Sequence, residues 1–378
     1  MKIGIDVSKT THGVKDGIYC YVYNLVKTLA KIDKDNQYIL YPLFTHLFSM
    51  DYTKAYCPEN TNFKLKFKYW PKWLVEHLWL NPRINKKHLL GKVDILHSTC
   101  FEAFKDHYGK LIVTIFDTSF LSHPQFHEPL NIEFANKGCI NAVKYADKII
   151  AISENTKMDL IKYYSCPPDK IKVIYLGADE IFKPHKKKEI GPILSKYNIN
   201  KKYILNVGSI EPRKNLIGLI KAYASLPISL KDSYELIIIG NSGWLNLDIF
   251  EMVNILQLNN KIRFIRNVPD EDLPYLYNGA SLFIYPSFYE GFGLPVLEAM
   301  QCGCPVITSN NSSLPEVAGD AALLIDPNNV SDIAKKMELL LNNDDLRNEL
   351  AIKGLERAKG FSWDKCAKET LKNYEDLG

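Results

Sequence analysis

Short apolar runs rich in β-branched residues alternate along this chain with longer stretches of helical period, and that alternation leaves few folds open. A strand, a helix and a second strand in succession read as a βαβ unit, whose strands lie parallel in a sheet covered by its own helices. In the first half, Lys2–Val7, Val93–His97, Leu111–Phe116 and Lys148–Ile152 read as buried strands. Ile18, Tyr21, Val22, Leu25 and Leu29 mark one apolar helix face over Ile18–Lys31, and Ser153 is placed to cap another helix. In the second half, Tyr203–Val207, Glu235–Ile239, Arg263–Ile265, Leu282–Tyr285 and Val306–Thr308 repeat the scheme. At 378 residues the chain is too long for one ordinary core and suits two domains, 1–182 and 195–361. Phe182–Leu194, with Pro184 and the Lys186–Lys188 run, reads as a solvated linker, and 362–378 as a terminal helix that packs on a neighbour. The expected class is α/β, with two Rossmann-like domains.

Composition enters mainly by exclusion. A chain with 46% hydrophobic and 24% charged residues is an ordinary globular one, and a net charge of +4 is too mild to argue nucleic-acid binding. No apolar run approaches the ~18 residues of a spanning helix. Met1 leads straight into Lys-Ile-Gly-Ile-Asp-Val, a strand rather than a secretory leader. The eight cysteines include no Cys-x-x-Cys pair, so free thiols and a cytoplasmic location are expected.

The most informative stretch is Tyr285-Pro-Ser-Phe-Tyr-Glu-Gly-Phe-Gly-Leu-Pro-Val-Leu-Glu298. A strand ends, a glycine-bearing loop follows, and Pro295 suits the first turn of the next helix. Amides at such a helix start point outward, and Gly291 and Gly293 let a phosphate approach. Glu290 and Glu298 bracket the loop, and carboxylates suit sugar hydroxyls because they accept two bonds of fixed geometry. Either glutamate alone could equally sit in a turn or face solvent; the joint pattern points to a site. A second stretch, Val207-Gly-Ser-Ile-Glu-Pro-Arg-Lys-Asn215, places Arg213 and Lys214 where a loop meets a helix, so their charges add to its N-terminal dipole and could neutralise a diphosphate. In the third, Thr114-Ile-Phe-Asp-Thr-Ser-Phe120, Asp117 follows the carboxyl end of a strand. There it could orient an acceptor hydroxyl or cap the following turn. Gly17 opens the first helix without a side chain, leaving room for a phosphate.

Taken together, these stretches resemble glycosyltransferase family 4, the group 1 glycosyltransferases. The likeness runs over almost the whole chain: Gly17-Ile-Tyr, Ala146-Asp-Lys-Ile-Ile-Ala-Ile-Ser-Glu-Asn-Thr156, Glu211-Pro-Arg-Lys-Asn215, the two glutamates, and Ser313-Leu-Pro-Glu-Val-Ala-Gly319. The resemblance implies a GT-B fold, two Rossmann-like domains with parallel sheets facing across a cleft, the terminal helix crossing back onto the first. It implies transfer with retention, from a nucleotide-diphosphate sugar bound by the second domain to an acceptor on the first. Lys214 and Arg213 would bind the diphosphate. Glu290 and the amides of Phe292, Gly293 and Leu294 would meet the sugar or phosphate, Glu298 the ribose, and the backbone at Val268 the base. Gly17 would leave room for the phosphate. The wording is most similar to transferases of mannose, rhamnose or a related sugar in surface-polysaccharide assembly, with a glycan or lipid-linked acceptor.

Two positions depart from the family pattern. Phe116 stands before Asp117 where members often have histidine, and Ser209 follows Gly208 where members commonly carry arginine. The second cation of the diphosphate site is then Arg213, or is absent. Asp33-Lys-Asp35 and Asp270-Glu-Asp272 have the spacing of metal-binding pairs but read as a turn and an acidic first helical turn, so no metal or other cofactor is expected. The alternatives are a nucleotide-sugar epimerase or a non-catalytic two-lobed sugar-binding protein. Residues 63–90 interleave Lys64, Lys66, Lys68, Lys72, Arg83, Lys86 and Lys87 with Phe67, Trp70, Trp73 and Trp79. They read either as a peripheral membrane contact or as folded structure in which Trp73, His77 and Leu80 are core.

Overall fold

The structure is a computed structural model that describes residues 1–378 except 12–14, 43–54, 82, 102, 104–105, 242 and 244–246. It divides into Met1–Leu176 together with Trp363–Gly378, and Gly177–Ser362. The first unit holds strands β1 (Lys2–Asp6), β2 (Gln37–Tyr41), β3 (Phe63–Leu65), β4 (Ile95–Ser98), β5 (Lys110–Ile115), β6 (Lys148–Ala151) and β7 (Ile171–Val173), in the order β3-β2-β1-β4-β5-β6-β7. Every pairing is parallel. Ile3, Ile5, Ile95, Leu96, Leu111, Val113, Ile149 and Ile150 are wholly buried, as expected of a sheet covered by helices on both faces.

The helix Gly17–Ile32 starts where Asp16 accepts a bond from the Tyr19 amide, and it buries Tyr21, Val22, Leu25 and Leu29. Against it packs the terminal helix Trp363–Glu375, which buries Trp363, Cys366, Ala367, Thr370 and Tyr374, a spacing that keeps them on one face. A chain of polar groups runs beneath this contact. The Tyr374 hydroxyl lies 2.6 Å from His97 Nδ1, His97 Nε2 lies 2.8 Å from Thr114 Oγ1, and Thr114 Oγ1 lies 3.0 Å from the Tyr21 hydroxyl. Burial pushes the His97 imidazole down to about 3, so the ring is neutral and needs both partners.

The second unit holds β8 (Lys202–Val207), β9 (Tyr234–Ile239), β10 (Ile262–Ile265), β11 (Leu282–Tyr285), β12 (Val306–Ser309) and β13 (Ala322–Ile325), in the order β10-β9-β8-β11-β12-β13, again all parallel. The expected linker needs correction. Residues Lys187–Lys196 form a helix whose first turn is closed by Glu189 accepting from the Lys186 amide. It packs against the helix Leu273–Gly279, with Ile190 and Leu194 beside Gly279. The charged run hides this element because its lysines face outward while its apolar pair is only one turn apart. The chain instead passes from one unit to the other at Leu176–Gly177.

Replacing Tyr374 by Phe removes one hydroxyl and leaves a buried ring nitrogen of His97 without its partner. The expected loss is about 1–3 kcal/mol of stability, read from urea unfolding of the full chain. An unchanged midpoint would show that the polar chain does not hold the terminal helix.

Candidate active site

Parallel strands present all their carboxyl ends at one edge of a sheet. In the second unit the chain runs β8-β9-β10 in one direction and β11-β12-β13 in the other, so β8 and β11 are neighbours at the point of reversal. The loops after these two strands diverge and leave a crevice, the usual ligand position in open α/β sheets. Residues 208–214 follow β8 and residues 286–293 follow β11, so the fold brings the two motif loops together at that point.

The contact is direct. The Phe288 amide donates to the Arg213 carbonyl at 2.9 Å. Lys214 Nζ donates to Glu290 Oε1 at 2.6 Å and to the Tyr285 hydroxyl at 2.6 Å. Arg213 Nη1 lies 2.9 Å from Glu290 Oε2 and donates to the Tyr289 carbonyl at 2.7 Å, while Nη2 donates to Glu211 Oε1 at 2.7 Å. Behind the loop, the Glu290 amide donates to Ser312 Oγ, and Ser313 Oγ lies 2.8 Å from the carbonyls of Glu290 and Phe292. Burial pushes the Glu290 carboxyl up, but Arg213 and Lys214 outweigh it and hold it down at about 2. Burial and the neighbouring guanidinium push the Lys214 ammonium the other way, below its ordinary value. The two cations therefore do not reinforce a helix dipole as expected. They turn to Glu290, and the helix Leu216–Ala224 is capped by Asn215, whose side chain accepts from the Gly218 amide.

The other residues singled out in the second unit lie on the loop after β8, on the loop and helix after β11 and on the loop after β10. Gly293 has φ +110, and a Cβ there would lie 2.7 Å from the Leu314 side chain. The backbone turn and the packing thus already require glycine, before any phosphate is considered. The helix Leu294–Gln301 begins directly after it with Pro295 in its first turn, and the Phe292 ring is buried edge-on against Phe361. One turn along, Glu298 does not simply face solvent. It accepts from the Tyr277 hydroxyl at 2.9 Å, and burial, with Asp270 and Asp179 adding to it, pushes its carboxyl up to about 7. Val268 lies half-buried on the loop after β10, and Ser209 is exposed.

In the first unit, Asp117 Oδ1 accepts from the Ser119 amide at 3.0 Å and from Ser119 Oγ at 2.7 Å, so that oxygen caps the turn. Ser119 Oγ is also 3.0 Å from His127 Nε2. Phe116 is buried edge-on against Tyr21, which accounts for an aromatic at that position. Among the described residues, an added Cβ at Gly17 meets nothing within 4 Å, so they leave the helix start open there. Asp33 binds the Asp35 and Asn36 amides, Asn36 Nδ2 and the Tyr38 hydroxyl, and Asp272 binds Lys196 and Tyr197. Sequence reasoning missed Tyr285 and Ser312 as parts of the cluster, because a buried strand tyrosine and a loop serine show no partner locally. It also missed Asp6, wholly buried at the carboxyl end of β1, where burial pushes its carboxyl up to about 6 against bonds from Ser8 and Thr99. A charged residue ending an apolar strand was the available signal.

Two Rossmann-like units, one with a cation–carboxylate–cation cluster at its switch point, define an open, parallel α/β class. Known proteins narrow it. The family described as Glycosyltransferase Family 4 matches residues 16–181, and Glycosyl transferases group 1 matches residues 192–357. The chain is 39% identical over 269 residues to O-antigen chain mannosyltransferase B of Escherichia coli, covering 71% of each. It is 33% identical over 262 residues to the serotype-specific mannosyltransferase WbdA of Escherichia coli, which covers 68% of this chain and 31% of that longer protein. The fold matches Anabaena Alr3699/HepE, solved in complex with UDP and glucose, with a TM-score of 0.75 at 17% identity over 100% of both chains. It matches WaaG, a glycosyltransferase involved in lipopolysaccharide biosynthesis, with 0.72 at 16% identity over 99% of both. The chain belongs to the family 4, group 1 glycosyltransferases and has their GT-B fold.

The Glu298 carboxyl gives a pH signature. Between 4.5, the ordinary value, and about 7, the folded state keeps a proton that the unfolded chain has lost. Stability therefore falls as pH rises through that window. Thermal melts of Glu298→Gln are expected to fall less steeply between these limits than those of the wild type, the Asp6 contribution remaining in both. Parallel curves would show that Glu298 titrates normally.

Proposed function

We propose that this glycosyltransferase acts in the cytoplasm and moves a mannosyl or related hexosyl or deoxyhexosyl residue, with retention, from a nucleotide-diphosphate sugar to a glycan or lipid-linked acceptor in surface-polysaccharide assembly. The mannosyltransferase relatives support the sugar, and the Arg213–Lys214–Glu290 cluster at the β8–β11 switch point carries the donor assignment. Lys214 and Arg213 neutralise the diphosphate and stabilise it as a leaving group. The amides of Phe292, Gly293 and Leu294 face the sugar or phosphate, Glu298 the ribose, and the backbone at Val268 and Ser209 the rest of the nucleotide. In the first unit, Gly17 leaves room for phosphate and Asp117 orients the acceptor hydroxyl through the oxygen not used by the turn.

The electrostatics of Glu290 argue against a covalent glycosyl-enzyme route, and the retaining reading is same-face displacement. A carboxylate already held by two cations is a poor nucleophile toward the anomeric carbon. The bond from that carbon to the diphosphate oxygen breaks, the bond to the acceptor oxygen forms on the same face, and the departing phosphate takes the acceptor proton. In this reading Lys214 and Arg213, rather than a metal ion, meet the charge that grows on the diphosphate.

The test is release of nucleoside diphosphate by the purified protein, after a thermal-shift screen has identified the nucleotide sugar that stabilises it. Lys214→Gln and Glu290→Gln are each expected to lower turnover at least ~100-fold, the scale of a lost transition-state contact. Melting curves must accompany them, since Glu290 offsets two cations. EDTA is expected to leave wild-type turnover unchanged, and proton NMR of the product to show the donor's anomeric configuration. Near-wild-type turnover in either folded variant removes the cluster from the site.

A further inference from the structure

The edge strand β3 ends at Leu65, and the turn and helix after it carry, among the described residues, the most exposed aromatic side chains of the first unit. Phe67 adopts φ 64, a left-handed conformation rare for a bulky residue, and its ring is buried. The turn is closed by the Trp70 amide donating to the Phe67 carbonyl at 2.9 Å. It carries Tyr69, 89% exposed, and Trp70, 44% exposed, out of the fold. The helix Lys72–Leu80 comes next and divides its tryptophans: Trp79 is buried at 7% with Val75, while Trp73 is 69% exposed and His77 faces outward with it. Trp73 and His77 are therefore not core. The side chains of Lys72 and Leu80 lie outside the described ones.

Charge accompanies the aromatics. From Phe63 to Leu90 the sequence has seven Lys and Arg against one carboxylate, Glu76. Lys64 and Lys68 are exposed, and Lys68 lies over the Tyr69 ring at 5.6 Å. Among the described residues no helix is long and apolar enough to cross a membrane. Exposed tryptophan and tyrosine beside lysines fit the boundary between headgroups and acyl chains, where amphipathic rings sit and cations meet anionic headgroups. A second copy of the same surface would bring like charges together.

We propose that Tyr69, Trp70 and Trp73, flanked by Lys64 and Lys68, form a docking surface for an anionic lipid bilayer. This rests on the transferase reading for its purpose. All strands of this sheet are parallel, so the loop after β3 lies at the same carboxyl edge as Asp117, which follows β5. A bilayer held there presents a lipid-linked acceptor to the edge that carries Asp117.

The experiment measures sedimentation of the full chain with phosphatidylcholine vesicles, with and without phosphatidylglycerol, at low and high salt and without donor. Binding is thereby scored independently of turnover. Wild type is expected to sediment with the anionic vesicles at low salt only. At about 1 kcal/mol per lysine, roughly fivefold, the Lys64→Glu/Lys68→Glu variant is expected to partition at least ~20-fold more weakly. Tyr69→Ala/Trp73→Ala removes two exposed rings and is expected to weaken binding ~10-fold or more by taking away interfacial anchors. Both variants are expected to keep the wild-type melting curve and turnover on a short water-soluble acceptor. Wild type left in the supernatant, or either variant partitioning like wild type, overturns the proposal. So does a dimer in sedimentation equilibrium that the aromatic variant abolishes, which would assign the patch to a second copy. Failure of turnover with intact vesicle binding instead counts against the transferase reading alone.

Discussion

A carboxylate shared by two cations holds the second unit's chemistry together. Glu290 comes from the loop after β11, and Arg213 and Lys214 from the loop after β8, so their ion pairs fix the spacing of two segments more than seventy residues apart. Burying four charges, these three and Glu211, is costly, and removing one partner of such a set typically costs about 3–5 kcal/mol. The surroundings reduce the cost by satisfying what remains: Tyr285 and Glu211 take the spare donors, and Ser312 and Ser313 hold the backbone of the Glu290 loop. The result is a cationic pair already oriented and partly desolvated, the condition under which fixed charges stabilise a departing anion most effectively.

The same logic of parallel strands organises the first unit without any ion cluster. Its carboxyl edge carries Asp6, Asp117 and the loop of exposed aromatics after β3, because every strand points the same way. The terminal helix is not an appendage there. Tyr374, His97, Thr114 and Tyr21 form a polar chain that crosses from that helix through two central strands to the helix Gly17–Ile32. The segment most distant in sequence thus braces the helix whose N-terminus holds Gly17.

Much of this was legible in the chain itself. The β-branched runs became strands, central ones except for the edge strand β10, their boundaries shifting by one or two residues, and the Arg-Lys and Glu-Gly-Phe-Gly loops fall where open sheets place ligands. The strands that escaped notice are instructive: β3, β7 and β13 are sheet edges of three or four residues, and β2 is the strand next to one such edge. Such strands pair on a template supplied by a neighbour, so they need little propensity of their own. The helix Lys187–Lys196 escaped for a related reason, its lysine run masking a narrow apolar face.

Local periodicity and turn chemistry by themselves determined two parallel α/β units, the loops that carry charge, and the residue types available for a nucleotide sugar. They could not determine which charges meet. That Arg213 and Lys214 face Glu290 rather than a helix dipole, that Glu298 is pushed to about 7, and that Trp73 points outward while Trp79 points inward were decided by packing. The physical reason is range. Propensity and period act over a few residues, whereas desolvation and ion pairing depend on neighbours that only the closed sheet brings within a few ångströms.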